Sequence, residues 1–154
     1  MPPPNDLDKV NSELYELLQD FEWHSTDRKN VAAGGKPESI TKFNGPIYDK
    51  VKEALNEEQD DDEQMGVTIN RYTPEAWSKC LAHKDVINTK DSNIIIFGNF
   101  KGGALKFVNG HEITTTGVWH TFNGQMKHWA EEVTADTRYS IVRWYTKTEE
   151  VKAK

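Results

Sequence analysis

The sequence predicts an α+β domain in which two amphipathic helices come first and a β-sandwich of seven or eight short strands follows. Apolar residues recur at helical spacing near the start of the chain, and from Met65 onward the pattern changes to short apolar or alternating segments separated by turn residues. A chain of 154 residues with 36% hydrophobic and 29% charged residues has the size and balance of one globular domain. We therefore expect residues 1–154 to form a single domain with flexible ends at 1–5 and 147–154.

Two helices are expected before the strands. The first covers residues 6 to about 21, with Asn5 or Asp6 as its cap, because apolar residues step by three and four along it. The second begins at Pro46, since proline suits the first helical position. Residues 25–37, rich in glycine and charge, are expected to form a long mobile loop that is a candidate lid. The acidic block at 57–63 is expected to be a solvated connection.

The second half of the chain contains six segments that are typical of strands. Asn109-Gly110, between two of them, predicts a two-residue hairpin loop, and Gly102-Gly103 predicts a tight bend. The six predicted strands are 67–72, 93–97, 104–108, 112–115, 118–122 and 138–145.

Composition excludes several classes of protein. The longest apolar run, 94–97, is far shorter than the roughly 20 residues of a membrane-spanning helix, and the first residues lack the basic and apolar regions of a secretion signal. The lone Cys80 excludes an internal disulfide and fits a reducing compartment. We therefore expect an intracellular monomer, cytoplasmic, nuclear or virus-encoded, with no membrane partner. The net charge of −6 weighs against a non-specific polyanion binder.

Three residues could together hold a metal ion. His83 and Asp85 are two residues apart, so in an extended strand their side chains point to the same side. His128 lies far enough along the chain for several strands to return it beside them. Two histidines and one carboxylate form the facial triad that suits non-haem Fe(II) with open positions. The alternative is a surface His and Asp in a turn before Asn88, with His128 an ordinary packed or exposed histidine.

The fourth candidate is Arg138, at the head of the apolar run 138–142, which is expected to be a buried strand. A buried charge without a partner is costly, and the guanidinium fork matches a carboxylate. A dicarboxylate co-substrate would supply the partner, as would an acid of the chain itself such as Glu131 or Glu132. Arg143 lies an odd number of residues from Arg138 and is expected on the opposite face of the strand unless a β-bulge intervenes.

Three motifs accompany these residues. They are His-x-Asp-x-x-Asn at 83–88, Gly-x-Phe-x-Gly-Gly-x-Leu at 98–105 and Arg-Tyr-Ser at 138–140. Together they resemble the Fe(II)/2-oxoglutarate-dependent dioxygenases of the double-stranded β-helix fold, and most of all the TET/JBP group, which hydroxylates the methyl group of 5-methylcytosine or thymine in nucleic acid. The resemblance covers about residues 66–146 and implies a jelly-roll or cupin-like sandwich with the N-terminal helices packed outside. The chain has a single cysteine and therefore lacks the cysteine-rich zinc-binding region of animal TET enzymes. It resembles a minimal catalytic core.

The resemblance also implies a role for each candidate residue. Arg138 would pair with the distal carboxylate of 2-oxoglutarate, in a pocket that Asn70 and Tyr72 help to line. Asn88 would brace the turn that carries the aspartate and is a candidate substrate contact. The Fe(II) ligands would be His83, Asp85 and His128.

Three hypotheses for function follow. The resemblance implies oxidation of a methylated base in DNA, with consumption of O2 and release of succinate and CO2; the base must leave its stack to reach a buried iron, and Arg28, Lys29 and Lys36 could contact phosphates. The second keeps the chemistry but takes a protein side chain or a small metabolite as substrate, for which an acidic surface is no obstacle. The third is a non-enzymatic cupin-like binding module in which the His and Asp are incidental.

Overall fold

The computed structural model describes residues 4–23, 38–55, 61–74 and 88–148. The loop expected at 25–37 lies outside these ranges, as do residues 56–60 of the connection between α2 and β2. Within the described ranges no helix combines the length and apolar character needed to cross a bilayer. The elements are α1 (Pro4–Asp20), β1 (Glu38–Lys42), α2 (Pro46–Ala54), β2 (Glu63–Tyr72), β3 (Ser92–Phe97), β4 (Lys101–Gly102), β5 (Leu105–Phe107), β6 (Glu112–Ile113), β7 (Trp119–Phe122), β8 (His128–Ala130), β9 (Val133–Ala135) and β10 (Arg138–Lys147).

The strands form a jelly-roll sandwich of the double-stranded β-helix type, as predicted. A five-stranded sheet has the order β1-β2-β10-β3-β7, and a three-stranded sheet with the order β6-β5-β8 faces it. A short pair, β4-β9, completes the described sheets. Every pairing between the described strands is antiparallel. The last strand of the chain therefore lies at the centre of the large sheet, between β2 and β3.

Both faces of the large sheet are buried, each in its own core. Side chains alternate between the two faces along each strand, and directly paired residues lie on the same face. On the outer face, Ile141 of β10 pairs with Ile69 of β2 and with Ile95 of β3, and both helices cover these residues. On the inner face, Ile94 and Ile96 form a second core with residues of the small sheet. The small-sheet side chains of that second core are Leu105, Phe107 and Ile113.

The helices pack where the sequence predicts, although the first begins earlier. α1 starts at Pro4, so Asn5 and Asp6 lie inside its first turn and the predicted cap is wrong. The fixed φ of proline suits a first helical residue and accounts for the earlier start. α2 begins at Pro46, as predicted. Its Lys50 lies 2.8 Å from Glu13 of α1, and this hydrogen-bonded ion pair lowers the pKa of Glu13 and raises the pKa of Lys50.

All six predicted strands are strands in the structure, but four others were not predicted. β4, β8 and β9 are only two or three residues long, and β1 mixes charged and hydroxyl side chains, so none carries a clear alternating pattern. The hairpin between β5 and β6 is confirmed with a different loop. Phe107 N–H donates to the His111 carbonyl at 2.9 Å, which leaves a three-residue loop, 108–110, that ends on Gly110 at φ +92°.

The end of the acidic block is also corrected. Glu63 is the first residue of β2 and is buried, with its carboxylate 2.8 Å from Lys90 Nζ and hydrogen-bonded to the Thr89 hydroxyl. Glu63 therefore belongs to the folded sheet, and the prediction that the solvated acidic connection extends to residue 63 is wrong at that residue.

Candidate functional site

Arg138 is buried at the start of the central strand. Its side chain is 2% exposed and lies on the inner face, directly across from Tyr72 of β2. The guanidinium carbon lies 5.3 Å from the centre of the Tyr72 ring, and Nη1 donates to the Ser140 hydroxyl at 3.4 Å. Asn70 Nδ2 is 3.1 Å from the same hydroxyl. The structure therefore brings together the three residues that the sequence assigned to a carboxylate pocket.

These contacts follow from strand geometry. Ser140 lies two residues beyond Arg138 and so on the same face, and the antiparallel register sets Ser140 opposite Asn70.

Glu131, one of the acids considered as an internal partner of Arg138, accepts a hydrogen bond from the Trp129 indole at 2.9 Å and lies 3.6 Å from Lys106.

A glycine makes room for the stem of Arg138. Gly103 has φ +71°, and a Cβ there would lie 2.9 Å from Arg138 Cδ and 3.1 Å from both Phe100 and Val133. Gly98, earlier in the same motif, has φ +119° and approaches the Thr137 carbonyl so closely that a Cβ would lie 2.3 Å from its oxygen. The glycines of the 98–105 motif thus serve close backbone approach beside the arginine.

His128 is the described member of the predicted metal triad. It is 4% exposed on β8, with its ring among Phe107 and Phe122 at centroid distances of 5.8 and 5.6 Å. Nδ1 lies 2.7 Å from the Met126 carbonyl oxygen. A carbonyl only accepts, so Nδ1 carries the hydrogen, and in the neutral ring Nε2 then carries the lone pair. Metal-binding histidines are commonly oriented in this way, through a hydrogen bond from the other ring nitrogen.

The other two members of the triad, His83 and Asp85, lie outside the described residues, so the triad itself stays a prediction. Within the part of the chain that the structure describes, no three His, Cys, Asp or Glu side chains cluster as a metal site. Asn88, just beyond them in sequence, is described and buried. Its Nδ2 lies 3.3 Å from the Ser92 hydroxyl, and its backbone forms a bridge with Thr146 of β10. The side chain therefore braces the approach to β3, which fits the predicted bracing role; contact with a substrate remains a prediction.

Arg143 belongs to the opposite face of β10, as predicted. Its Nη2 and Nε donate to Asn93 Oδ1 at 2.7 and 3.2 Å, and its guanidinium lies 5.3 Å from the Tyr145 ring centre. Asn93 is directly paired with Arg143 across β3. The two buried arginines of this strand therefore lie on opposite faces of the large sheet.

The inner face is polar on one half and apolar on the other. Over β1 and β2 it carries hydroxyl and amide groups, including Thr41 and Thr68, whose oxygens are 3.1 Å apart. Trp144 Nε1 donates to the Thr68 hydroxyl at 2.9 Å. Over β3 and β7 the face is apolar and is covered by the small sheet. The polar half of the inner face is therefore the half that also holds Arg138.

Sequence reasoning missed two contributors to this site. Ser140 could have been found, because alternation from Arg138 predicts that it shares the inner face. The Met126 carbonyl that orients His128 has no signal in the sequence, since any residue supplies a carbonyl.

Comparison with solved structures supports the fold assignment. No protein-family model matches the sequence, and no curated protein matches it significantly. The fold is similar to that of a prolyl-4-hydroxylase from Pseudomonas putida, with a TM-score of 0.60 and 15% identity over 94% of this chain and 89% of that one. It is also similar to a 2OG-Fe(II) oxygenase family oxidoreductase from Burkholderia pseudomallei, with a TM-score of 0.63 and 15% identity over 88% and 77%.

A viral collagen prolyl hydroxylase from Paramecium bursaria Chlorella virus-1 is a third similar structure, with a TM-score of 0.59 and 12% identity over 90% of this chain and 91% of that one. At such identities the comparisons establish a shared fold. Function has to be argued from the side chains that the fold brings together.

The contact between Gly103 and Arg138 gives a test of the site's packing. Gly103→Ala and Gly110→Ala both place a Cβ at positive φ, but only the first meets other atoms, since nothing lies within 4 Å of a Cβ at Gly110. We expect Gly103→Ala to lower the free energy of unfolding by about 1–3 kcal/mol more than Gly110→Ala does. Urea denaturation of both variants measures the difference; equal losses would mean that the Arg138 stem relaxes without cost.

Proposed function

We propose that this protein is an Fe(II)- and 2-oxoglutarate-dependent oxygenase that hydroxylates a protein side chain or a small metabolite. The observation that carries the proposal is Arg138, a guanidinium held inside the sandwich on the same face as polar side chains of β2. The candidate metal ligand His128 lies on β8 of the small sheet that faces it. The bound iron and co-substrate would supply oxidation of a C–H bond by O2, with release of succinate and CO2.

The residues around Arg138 fit the distal carboxylate of 2-oxoglutarate. A guanidinium presents parallel N–H donors that match two carboxylate oxygens, and the Tyr72 ring and Ser140 hydroxyl hold this guanidinium in place. Gly103 leaves the space that the arginine stem occupies. Burial strengthens the attraction between guanidinium and carboxylate and keeps water from competing for it.

His128 fits an iron ligand, with His83 and Asp85 proposed as the other two. The Met126 carbonyl leaves the lone pair of His128 on Nε2, which is the form that binds a metal. Asp85 precedes Asn88 by three residues in the sequence. The Asn88 carbonyl accepts from Gln125 Nε2 at 2.6 Å, so the stretch that bears both candidates ends beside the loop that leads to His128.

The substrate is proposed from two considerations. Two of the similar structures are named as prolyl hydroxylases, which favours a peptidyl proline as the first substrate to test. The glycines that suggested the TET/JBP group have a structural explanation beside Arg138 and Thr137, so they do not point to a nucleic-acid base. Oxidation of 5-methylcytosine in DNA stays a prediction of the sequence resemblance.

The co-substrate pocket is tested by Arg138→Lys. Lysine keeps the charge but loses the planar fork, so we expect the affinity for 2-oxoglutarate to fall roughly tenfold or more. Calorimetry with Mn(II) in place of iron measures the affinity without turnover. Arg143→Lys is the matched control, because it makes the same change on the opposite face of the same strand, and its affinity should stay within about twofold of the parent. Unchanged affinity in Arg138→Lys would contradict the assignment.

The metal site is tested by His83→Ala, Asp85→Ala and His128→Gln. Each removes one ligand, and we expect Mn(II) affinity to fall by more than about 100-fold in each variant, since loss of outer partners alone costs 10–100-fold. His120→Ala serves as the control, because His120 lies on β7 and its Nε2 donates to the Thr115 carbonyl at 3.0 Å, in the connection between β6 and β7. Parent-like Mn(II) binding in any of the three variants would remove that residue from the ligand set.

The reaction is tested by incubating the protein with Fe(II), 2-oxoglutarate and O2 alongside a substrate panel. The panel contains prolyl peptides, free amino acids and duplexes bearing 5-methylcytosine. Mass spectrometry of each substrate, with succinate measured in parallel, should show a hydroxylated peptide or amino acid and unchanged DNA. Hydroxymethylated nucleoside from the duplexes would instead support the DNA hypothesis, and the absence of both 2-oxoglutarate binding and succinate would refute the oxygenase proposal.

A further inference from the structure

An open cavity lies on the outer side of the large sheet, between α1 and the start of β10. Its volume is about 530 Å³, which is within the roughly 300–1,000 Å³ typical of small-ligand sites. Tyr139 of β10 lines it and is paired with Phe97 on the outer face, whereas Arg138 points to the inner face. The cavity is therefore separate from the proposed 2-oxoglutarate pocket, although it begins at the next residue of the same strand.

Two tyrosine side chains form the wall of this cavity. Tyr15 of α1 stacks on Phe97, with ring centres 5.1 Å apart and 8° between the ring planes. Tyr139 meets Tyr15 edge to face, with ring centres 5.8 Å apart and 68° between the planes. Both tyrosines are half-buried, so part of each side chain stays accessible. An aromatic wall packs against the methylene stem of a long basic side chain, and electron-rich ring faces attract its cation.

The rim of the cavity supplies hydrogen-bond acceptors and a negative charge. Asn99 follows β3 and Asp136 precedes β10, and the close approach of Gly98 to the Thr137 carbonyl holds these two segments side by side. Gln19 completes the rim from α1. All three rim side chains are exposed, and Asp136 forms no ion pair with the described part of the chain. Its carboxylate is therefore accessible to a ligand.

The surroundings of the cavity favour a cation. None of the described residues that line it is basic, and α1 carries five acids against one lysine. The last turn of α1, which includes Gln19, has no basic side chain, so nothing on the helix offsets the partial negative charge of its C-terminus. The carboxylate, the helix end and the acidic helix surface all attract positive charge and repel anions.

We propose that this cavity binds a basic side chain of a peptide, with its cation at Asp136 and its methylene stem against Tyr15 and Tyr139. A long basic side chain uses both the aromatic wall and the acidic rim, whereas an apolar side chain would cover the carboxylate without pairing it. The cavity opens to solvent, so the peptide backbone can continue past it. The inference goes beyond the proposed function and does not depend on it, because no candidate iron ligand or 2-oxoglutarate contact lines the cavity.

The experiment titrates the peptide acetyl-Gly-Gly-Arg-Gly-Gly-amide into isotope-labelled full-length protein without metal or 2-oxoglutarate, followed by NMR. The same peptide with citrulline in place of arginine is the ligand control, since citrulline keeps the planar shape but is neutral. Asp136→Asn removes the negative charge from the rim, and asparagine accepts the φ of +63° at this position as aspartate does. Asp91→Asn is the matched control, because it makes the same change at an exposed residue before β3 that does not line the cavity.

We expect the arginine peptide to bind with a Kd on the order of 1–10 mM at low salt, as one charge-assisted contact and one aromatic contact imply. Shifted amide signals should cluster at Tyr15, Gln19, Asn99 and Tyr139. The citrulline peptide, and the arginine peptide with Asp136→Asn, should each bind about fivefold or more weakly, while Asp91→Asn stays within about twofold of the parent.

Three results would overturn the proposal. They are equal binding of the two peptides, equal losses in Asp136→Asn and Asp91→Asn, and shifted signals that lie away from the cavity or do not arise at all. Equal losses would mean that the peptide is attracted to the acidic surface in general. Thermal unfolding of each variant checks that the fold is kept. Since neither metal nor 2-oxoglutarate is present, none of these results bears on the proposed oxygenase activity.

Discussion

The burial of one cation, Arg138, imposes a constraint on much of the surrounding structure. An arginine inside a sandwich loses its hydration, and that loss has to be compensated by oriented groups around it. The chain meets this need with the Tyr72 ring face and the Ser140 hydroxyl, which the antiparallel register of β2 and β10 brings to the same place. It also places Gly103, which has no side chain, against the arginine stem. A cluster of polar side chains around Arg138 at the head of the central strand is the result.

The position of β10 makes this cluster of polar side chains possible. As the central strand it has hydrogen-bonded neighbours on both sides, so its backbone is fixed and its side chains alternate without interruption between two buried faces. The helices cover the outer face with an apolar core that includes Ile141 and the fully buried Leu14. The inner face is apolar over β3 and β7, where the small sheet packs on it, and polar over β1 and β2. The polar side chains around Arg138 and the apolar core under the helices thus lie on different faces of one sheet.

The same architecture occurs in two prolyl hydroxylases and in an oxidoreductase of the 2OG-Fe(II) oxygenase family, at identities of 12–15% to this chain. A fold shared at such distance conserves the layout of strands, while substrate choice depends on side chains at the rim of the sandwich.

The sequence alone determined the presence of both helices, six of the strands, the start of α2, and the separation of Arg138 and Arg143 onto opposite faces, whereas it missed β1, which lies between the two helices. These features depend on local periodicity, which is two for strands and 3.6 for helices, and periodicity can be read without knowing the fold. It also singled out Asn70 and Tyr72, through a family resemblance, as partners of the pocket. The structure then placed both beside Arg138.

Tertiary structure alone decided the features that depend on pairing between distant segments. The strands β4, β8 and β9 are too short to carry a pattern, and each exists because a partner strand supplies its hydrogen bonds. Glu63 has the composition of a solvated acidic run but is buried, because Lys90, far along the chain, provides its counter-charge. The orientation of His128 by a backbone carbonyl and the link from Gln125 to Asn88 likewise have no signal in the sequence, since any residue offers a carbonyl and only the folded chain selects which one is near.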